Sequence, residues 1–80
     1  MLTDTGIRRL AARERRFEVQ DEGGLSLEVM PSGEKFWRLK IQIHGKVYKR
    51  SLGKYPTVSL KDARRARDEV RLQVAIGQNP

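Results

Sequence analysis

The chain has 80 residues, of which 17 are lysine or arginine and 10 are aspartate or glutamate, giving a formal net charge of +7. This length predicts one small domain, or a fragment of a larger chain, because domains commonly run to about 100–150 residues. Cysteine is absent, which excludes disulfides and cysteine-based zinc or redox sites. The positive charge favours a polyanionic partner, and without an apolar run of about 18 residues we expect a cytoplasmic protein that does not contact membranes.

The N-terminal residues predict a short helix and then a short strand. Thr3 can cap the helix, with Leu2 and Ile7 spaced as a hydrophobic staple around it. Further along, residues 17–19 have the composition of a strand, and the glycine-containing segment 21–24 predicts the turn that closes it. The sequence does not decide whether this strand joins the sheet that follows.

Alternating apolar residues in the centre of the chain predict three antiparallel strands between Leu25 and Leu52. The first two alternations are formed by Leu25, Leu27 and Val29 and by Trp37, Leu39, Ile41 and Ile43. His44-Gly45 is short enough for a two-residue hairpin turn, since histidine tolerates the left-handed conformation better than most side chains do. Residues 46–52 then return as the third strand.

An amphipathic helix is predicted to cover the apolar face of these strands. It begins at Ser59, whose Ser-x-x-Asp pattern is typical of an N-terminal cap. The stripe facing the sheet comprises Leu60, Ala63, Ala66, Val70 and Val74, widened by Leu72 and Ile76. Gly77 can end the helix and Pro80 prevents its continuation. The predicted fold class is therefore α+β: a three-stranded antiparallel β-meander packed against one C-terminal helix, with a short N-terminal helical turn.

Catalytic and metal-binding residue patterns are missing from the sequence. There is one histidine, no cysteine and no glycine-rich phosphate loop, and the segment 21–24 lacks the alternating oxygen ligands of a calcium site. His44 is interpreted as a turn residue rather than an acid or base. We therefore expect a binding domain that is not an enzyme and needs no cofactor or metal.

The positive charge is concentrated in the strands, and it predicts a DNA-binding surface. Residues 25–58 carry seven basic and two acidic side chains. If the apolar residues of the second strand face the helix, the residues between them share the opposite face. The candidate DNA-binding residues are Arg38, Lys40, Gln42 and His44, then Lys46, Lys49 and Ser51 of the third strand, and Lys35. In a major groove, arginine can contact guanine, glutamine can contact adenine, and lysine mainly contacts phosphate.

A plainer interpretation of the same face is an ordinary solvated sheet surface, since antiparallel sheets usually expose one polar side. The excess of cations over acids in the strands favours nucleic acid. Trp37 is expected in the core rather than as a platform for base stacking, because its neighbours in phase are aliphatic. Arg50 falls on the core side of its strand and is expected to extend its charge to the edge.

Six strings occur in order along the chain and carry a family resemblance. They are Leu2-Thr3-Asp4 with Ile7, Asp21-x-Gly23-Gly24-Leu25-x-Leu27-x-Val29, Pro31-Ser32-Gly33-x-Lys35-x-Trp37-Arg38, Gly45-Lys46, Leu52-Gly53-x-Tyr55-Pro56-x-Val58-Ser59-Leu60-x-x-Ala63-Arg64 and Gly77-x-Asn79-Pro80. With these strings, nearly the whole chain resembles the N-terminal domain of the tyrosine recombinases (integrases) that move prophages and genomic islands in bacteria.

The resemblance implies an arm-type DNA-binding domain cut from a longer integrase. Its implied partner is the double-stranded DNA of attachment-site arms, together with other integrase protomers, an excision factor and a host DNA-bending protein. The catalytic tyrosine would belong to a separate domain, so Tyr48 and Tyr55 are not candidates for it.

Two other functions stay open at this stage. A protein-interaction module could use segment 2–10 or a strand edge to contact another protomer. A double-stranded RNA-binding module is also compatible with a small sheet and helix, although the predicted surface lacks several exposed aromatic rings for stacking.

Overall fold

The computed structural model describes residues 1–77, which form one antiparallel sheet and two helices. The elements are α1 (Asp4–Arg9), β1 (Phe17–Gln20), β2 (Leu25–Val29), β3 (Lys35–Ile43), β4 (Lys46–Tyr55) and α2 (Leu60–Ala75). The strands lie in the order β1-β2-β3-β4, each antiparallel to its neighbour. The α+β class is confirmed, but the prediction of three strands is wrong because the sheet has four.

The additional strand is β1, which pairs with β2. Phe17 lies opposite Val29 and Val19 lies opposite Leu27. Both β1 side chains are half-buried and contact the core. Two apolar residues in phase with β2 are therefore enough to place this four-residue strand at the sheet edge.

Helix α1 begins as its capping residue predicts and attaches to the core. The Thr3 hydroxyl accepts a hydrogen bond from the Gly6 N–H at 3.1 Å. Leu2 and Ile7, on either side of this cap, are both buried in the same core as the sheet. The staple thus fixes the N-terminal segment to the fold.

The hairpin between β3 and β4 has the two-residue turn predicted for it. His44 and Gly45 both have positive φ values, 49° and 81°. This combination matches the turn that preserves the right-handed twist of paired strands. A bulge leaves Leu52 without a partner, since Trp37 lies opposite Gly53 while Arg38 lies opposite Ser51. Beyond the bulge β4 continues to Tyr55, past the predicted end at Leu52.

Helix α2 covers the sheet with one narrow stripe. The Ser59 hydroxyl accepts from the Asp62 N–H at 3.1 Å, which confirms the predicted cap. Leu60, Ala63 and Val70 are buried against the strands. Leu72 and Ile76, expected to widen the stripe, are each 61% exposed, so that expectation is wrong.

The end of α2 agrees with the sequence as far as the structure describes it. Gly77 has a φ of 86°, and its N–H donates to the Val74 carbonyl at 3.1 Å. This is the left-handed conformation that commonly ends helices. Pro80, which was expected to prevent continuation of the helix, lies outside the described residues.

Trp37 is the largest fully buried side chain of the core. Its indole N–H donates to the Val58 carbonyl at 2.7 Å, which satisfies the one polar atom of the ring. Tyr55 contacts it edge to face, with ring centroids 6.3 Å apart. The prediction that Trp37 belongs to the core is confirmed.

A buried carboxylate connects the N-terminus, the β1–β2 turn and α2. The Asp21 side chain is fully buried and accepts hydrogen bonds from the Leu2 N–H at 2.8 Å and from two nitrogens of Arg64 at 3.0 Å. Burial alone would raise the pKa of Asp21, but its hydrogen bonds, led by that from Arg64, outweigh burial and lower the pKa to about 2. Arg64 also donates to the Leu2 carbonyl at 2.8 Å, so this arginine stabilises the fold.

Candidate nucleic-acid interface

The face of the sheet opposite α2, here called the outer face, carries rows of mostly polar residues that are exposed or half-buried. Because directly opposed residues of antiparallel strands share a face, the pairing of β3 with β4 defines these rows. They are Arg38 with Ser51, Lys40 with Lys49, and Gln42 with Val47. The structure therefore brings together five of the eight predicted site residues: Arg38, Lys40, Gln42, Lys49 and Ser51.

The middle row places two lysines directly opposite each other. Lys40 and Lys49 are both exposed. Neither makes a salt bridge with any carboxylate among residues 1–77. Like charges in directly opposed positions destabilise a sheet. This row therefore lowers the stability of the isolated domain, and a bound anion would relieve the repulsion.

Arg38 is tied to a carboxylate on the neighbouring strand. Its guanidinium donates to Glu28 at 3.3 Å, and Arg16 donates to the other oxygen of Glu28 at 2.9 Å. Glu28 is nearly buried, with a side chain 11% exposed. The arginine is held in one orientation, and part of its charge is neutralised.

Sequence reasoning missed this contact, although a signal for it was present. Since Leu25, Leu27 and Val29 face the helix, the residues between them share the outer face with Arg38. Glu28 is one of those residues, and the register of β2 with β3 places it opposite Phe36. The outer face is therefore mixed in charge near β2 and purely basic only toward β4.

The end of the outer face away from the hairpin turn carries an aromatic ring and a second ion pair. Phe36 is half-buried and lies opposite Lys54. Lys54 donates to Glu34 at 2.7 Å. That hydrogen bond lowers the pKa of the Glu34 carboxyl. Lys54 is therefore partly neutralised, as Arg38 is.

Three of the predicted site residues lie elsewhere. His44 is in the turn, where its left-handed conformation interrupts the alternation that had placed it on the outer face. Lys46 lies opposite Ile43, and Lys35 lies opposite Val29, so both belong to the helix side of the sheet. Arg50, opposite Leu39, is on the helix side as expected and is exposed.

The outer face is a shallow surface rather than an enclosed pocket. A groove of about 200 Å³ on this face lies between Glu28, Arg38 and Lys49. Small-molecule sites usually enclose about 300–1,000 Å³ and are mostly apolar. The small volume and the open shape favour an extended partner over a small ligand.

Residues 1–77 contain neither a cluster of metal-binding side chains nor a helix that could span a membrane. No group of three or more histidine, aspartate or glutamate side chains is placed to hold a metal ion. No helix in this part of the chain combines the length and the apolar character needed to cross a membrane.

Comparison with known proteins identifies the family of this chain. The family described as "Arm DNA-binding domain" matches residues 2–80. The chain belongs to this family. The match includes all the elements described above, so the arm domain consists of the four-stranded sheet and its two helices.

Curated integrases contain stretches similar to this arm domain. The "Integrase" of Shigella phage Sf6 is 35% identical over 80 residues, which is 100% of this chain and 21% of that protein. The "Prophage integrase IntS" of Escherichia coli (strain K12) gives the same identity and coverage. The "Prophage integrase IntZ" of the same strain is 40% identical over 57 residues, covering 71% of this chain and 14% of the relative.

The chain spans about a fifth of the length of the first two relatives. The family description makes the arm domain a DNA-binding domain, and most of each of these two relatives lies outside the stretch that this chain matches. The family is described by its DNA binding, and the relatives carry the names integrase and prophage integrase.

Proposed function

We propose that the arm domain binds the double-stranded DNA of arm-type attachment sites through the outer face of its sheet. In this proposal the full-length protein is a tyrosine recombinase of the bacterial cytoplasm, and the arm domain supports both integration and excision. Other integrase protomers, an excision factor and a host DNA-bending protein are its proposed partners on the attachment site.

The observation that carries the proposal is the opposed lysine pair of the outer face. Lys40 and Lys49 lie on neighbouring strands, are exposed, and have no acidic partner among residues 1–77. The sheet accepts an unfavourable pair of like charges here. Phosphate groups on the DNA backbone would neutralise both.

The shape of the outer face supports a major-groove mode of binding. The major groove of B-DNA is about 12 Å wide and admits a two-stranded β-ribbon. The β3–β4 hairpin is such a ribbon, and the described helices leave its outer face uncovered. Same-face rows along the hairpin repeat every 6.6–6.8 Å or so, close to the spacing of about 7 Å between phosphates along one DNA strand.

Four outer-face residues have proposed roles in DNA contact. Lys40 and Lys49 contact phosphates. Arg38, oriented by Glu28, is placed to contact guanine, for which arginine is the commonest partner in the major groove. Ser51, opposite Arg38, contributes a hydrogen bond to base or backbone.

The alternative functions have less structural support. Segment 2–10 is a poor contact for another protomer because Leu2 and Ile7 are buried in the core. Double-stranded RNA has a deep and narrow major groove that a ribbon cannot enter. Phe36 is the one aromatic ring on the outer face within residues 1–77, and it is half-buried. A stacking platform for single-stranded RNA would need more exposed rings.

A pair of matched double variants tests the proposal. Replacing Lys40 and Lys49 by alanine removes two charges from the outer face, and replacing Lys61 and Arg65 removes two exposed charges from α2. Fluorescence anisotropy with an arm-type duplex, at several salt concentrations, gives the affinity and its salt slope. With about four to five phosphates contacted, the slope of log K against log salt is expected to be about −4, since each contact contributes about −0.9.

The outer-face variant should bind more weakly and lose about 1.8 from the magnitude of that slope. The α2 variant should keep nearly the whole slope. Thermal unfolding provides an independent check, because removing the opposed lysines should leave stability unchanged or raise it. Equal losses of DNA binding in the two variants would reject the outer face as the binding surface.

A further inference from the structure

The row of the outer face nearest the hairpin turn differs chemically from the others. It pairs Gln42 with Val47, directly beyond the Lys40–Lys49 row. Both side chains are exposed, Val47 by 56%. An uncharged amide and an apolar β-branched side chain thus form the end of a surface whose other rows contain cations.

The amide of Gln42 is free to bind a ligand. No side chain or backbone group among residues 1–77 forms a hydrogen bond with it, whereas Arg38 is engaged by Glu28. A glutamine amide offers one donor and one acceptor side by side. The major-groove edge of adenine offers the matching acceptor N7 and donor N6.

Val47 supplies the complementary contact. A single exposed valine on a strand is common and by itself indicates nothing. Its position is informative because it lies directly opposite Gln42, where the two Cβ atoms are about 5 Å apart. The base that pairs with adenine is thymine, whose C5-methyl group is the one apolar feature of the major groove.

We propose that Gln42 and Val47 together form a subsite for an A·T base pair, with the glutamine amide on the adenine edge and the valine on the thymine methyl. This inference rests on the proposed function, since it assigns a base preference to the same surface. It adds Val47 as a specificity-determining residue and limits the row nearest the turn to one class of base pair.

The first experiment identifies the preferred sequence. The 80-residue chain is incubated with a pool of duplexes containing ten randomised central base pairs, and the bound fraction is sequenced. The wild-type chain should enrich a motif that contains at least one A·T pair. The variants Gln42→Met and Val47→Ser should lose the preference at that pair and retain it elsewhere. The matched control variants are Gln73→Met and Leu72→Ser, both at exposed positions of α2, and they should retain the whole motif.

The second experiment removes the two base groups one at a time from the selected duplex. Replacing the adenine by 7-deazaadenine removes N7, and replacing the thymine by deoxyuracil removes the methyl group. The first change should weaken binding of the wild-type chain by about 5-fold or more, as expected for half or all of a bidentate contact. It should have no effect on Gln42→Met. The replacement of thymine by deoxyuracil should weaken DNA binding by the wild-type chain and have no effect on DNA binding by Val47→Ser.

The outcomes separate the two proposals. If the wild-type chain selects a motif that all variants retain, the A·T subsite is wrong and binding through the outer face stands. Duplex binding without any enriched motif would also overturn the subsite. If the chain does not bind the duplex pool at all, the proposed function fails and the subsite fails with it.

Discussion

Asp21 shows how one buried side chain can determine the position of several segments. Its carboxylate receives the Leu2 N–H and the Arg64 guanidinium, and Arg67 approaches it at 3.5 Å. The Arg64 interaction raises the pKa of that arginine as it lowers the pKa of Asp21. Two of the five cations of α2 are thereby committed to the fold, so the positive charge of that helix overstates what it can offer to DNA.

The lowered pKa of Asp21 predicts acid sensitivity. In the unfolded chain this carboxyl takes up its proton near pH 3.8, whereas in the folded domain it does so only near pH 2. The stabilising effect is therefore complete above about pH 4 and is lost as pH falls from 4 to 2, by about 2 kcal/mol in total. Urea unfolding at pH 6 and pH 2.5 measures this loss.

Matched variants isolate the contribution of Asp21. In Asp21→Asn the free energy of unfolding at pH 6 should fall by about 2–4 kcal/mol, because the half-buried Arg64 loses its charge partner. Asp68 is an exposed partner of Arg67, so Asp68→Asn should change the free energy of unfolding by less than about 0.5 kcal/mol. An Asp21→Asn variant that retained the wild-type drop in stability between the two pH values would assign that drop to another group.

Elements with long periodic sequence patterns were predicted correctly. The predictions were incomplete where tertiary contacts, rather than local sequence, determine the structure. Period-two alternation and two capping residues were sufficient to predict β2, β3 and both helices. Strand β1 could not be assigned to the sheet, because two apolar positions in four residues are too short a pattern. The strand is stabilised by its pairing with β2 and by the contacts of Phe17 and Val19 with the core. Strand β4 continues beyond Leu52 because the bulge at this residue returns Tyr55 to the helix side of the sheet. No periodic pattern signals a bulge in advance.

The candidate site was predictable to a similar extent. The alternation of side chains along β3 and β4 correctly predicted that Arg38, Lys40 and Lys49 lie on one face. It could not give the contact between Arg38 and Glu28, because that contact depends on the register between two strands. His44 was misplaced because alternation ends where the turn begins.

At the bulge, Gly53 is predicted to be irreplaceable. Its φ is 111°, and an added Cβ would lie 2.6 Å from a methyl carbon of Val58. Gly53→Ala should therefore lower the free energy of unfolding by about 3–5 kcal/mol, from backbone strain and from overlap with the β4–α2 connection. Gly33 provides the control, since its φ is 94° but an added Cβ would meet no atom within 4 Å. Gly33→Ala should lower the free energy of unfolding only through backbone strain, by about 1–2 kcal/mol. If urea unfolding gave equal losses for the two variants, the predicted overlap of the added Cβ with Val58 would be contradicted.

The whole molecule is elongated and has a thin core. The principal extents are 38 × 23 × 19 Å, and the radius of gyration of 13.0 Å exceeds the roughly 11.6 Å expected for a compact chain of this length. One cluster of buried side chains joins α1, the sheet and α2. In so small a core, each fully buried side chain contributes a large part of the stability.

The N-terminal segment should therefore be essential for folding of the whole domain. Ile7 is fully buried although it lies on a helix of six residues. Ile7→Ala should lower the free energy of unfolding by about 2–5 kcal/mol through the cavity it leaves. Leu72→Ala, at an exposed position of α2, should change it by less than about 0.5 kcal/mol. Similar losses in the two variants, measured by denaturant titration, would show that α1 is peripheral.

The two-residue turn at His44-Gly45 affects the conformational entropy that the proposed DNA binding would cost. A connection this short leaves the tip of the β3–β4 hairpin little freedom to reorganise, and cross-strand pairing reaches the residues beside it at Ile43 and Lys46. The outer face is thus preorganised, and in the proposed function its association with DNA would cost little conformational entropy from the backbone. We expect the free and bound hairpins to superimpose closely, with any adjustment limited to the long side chains.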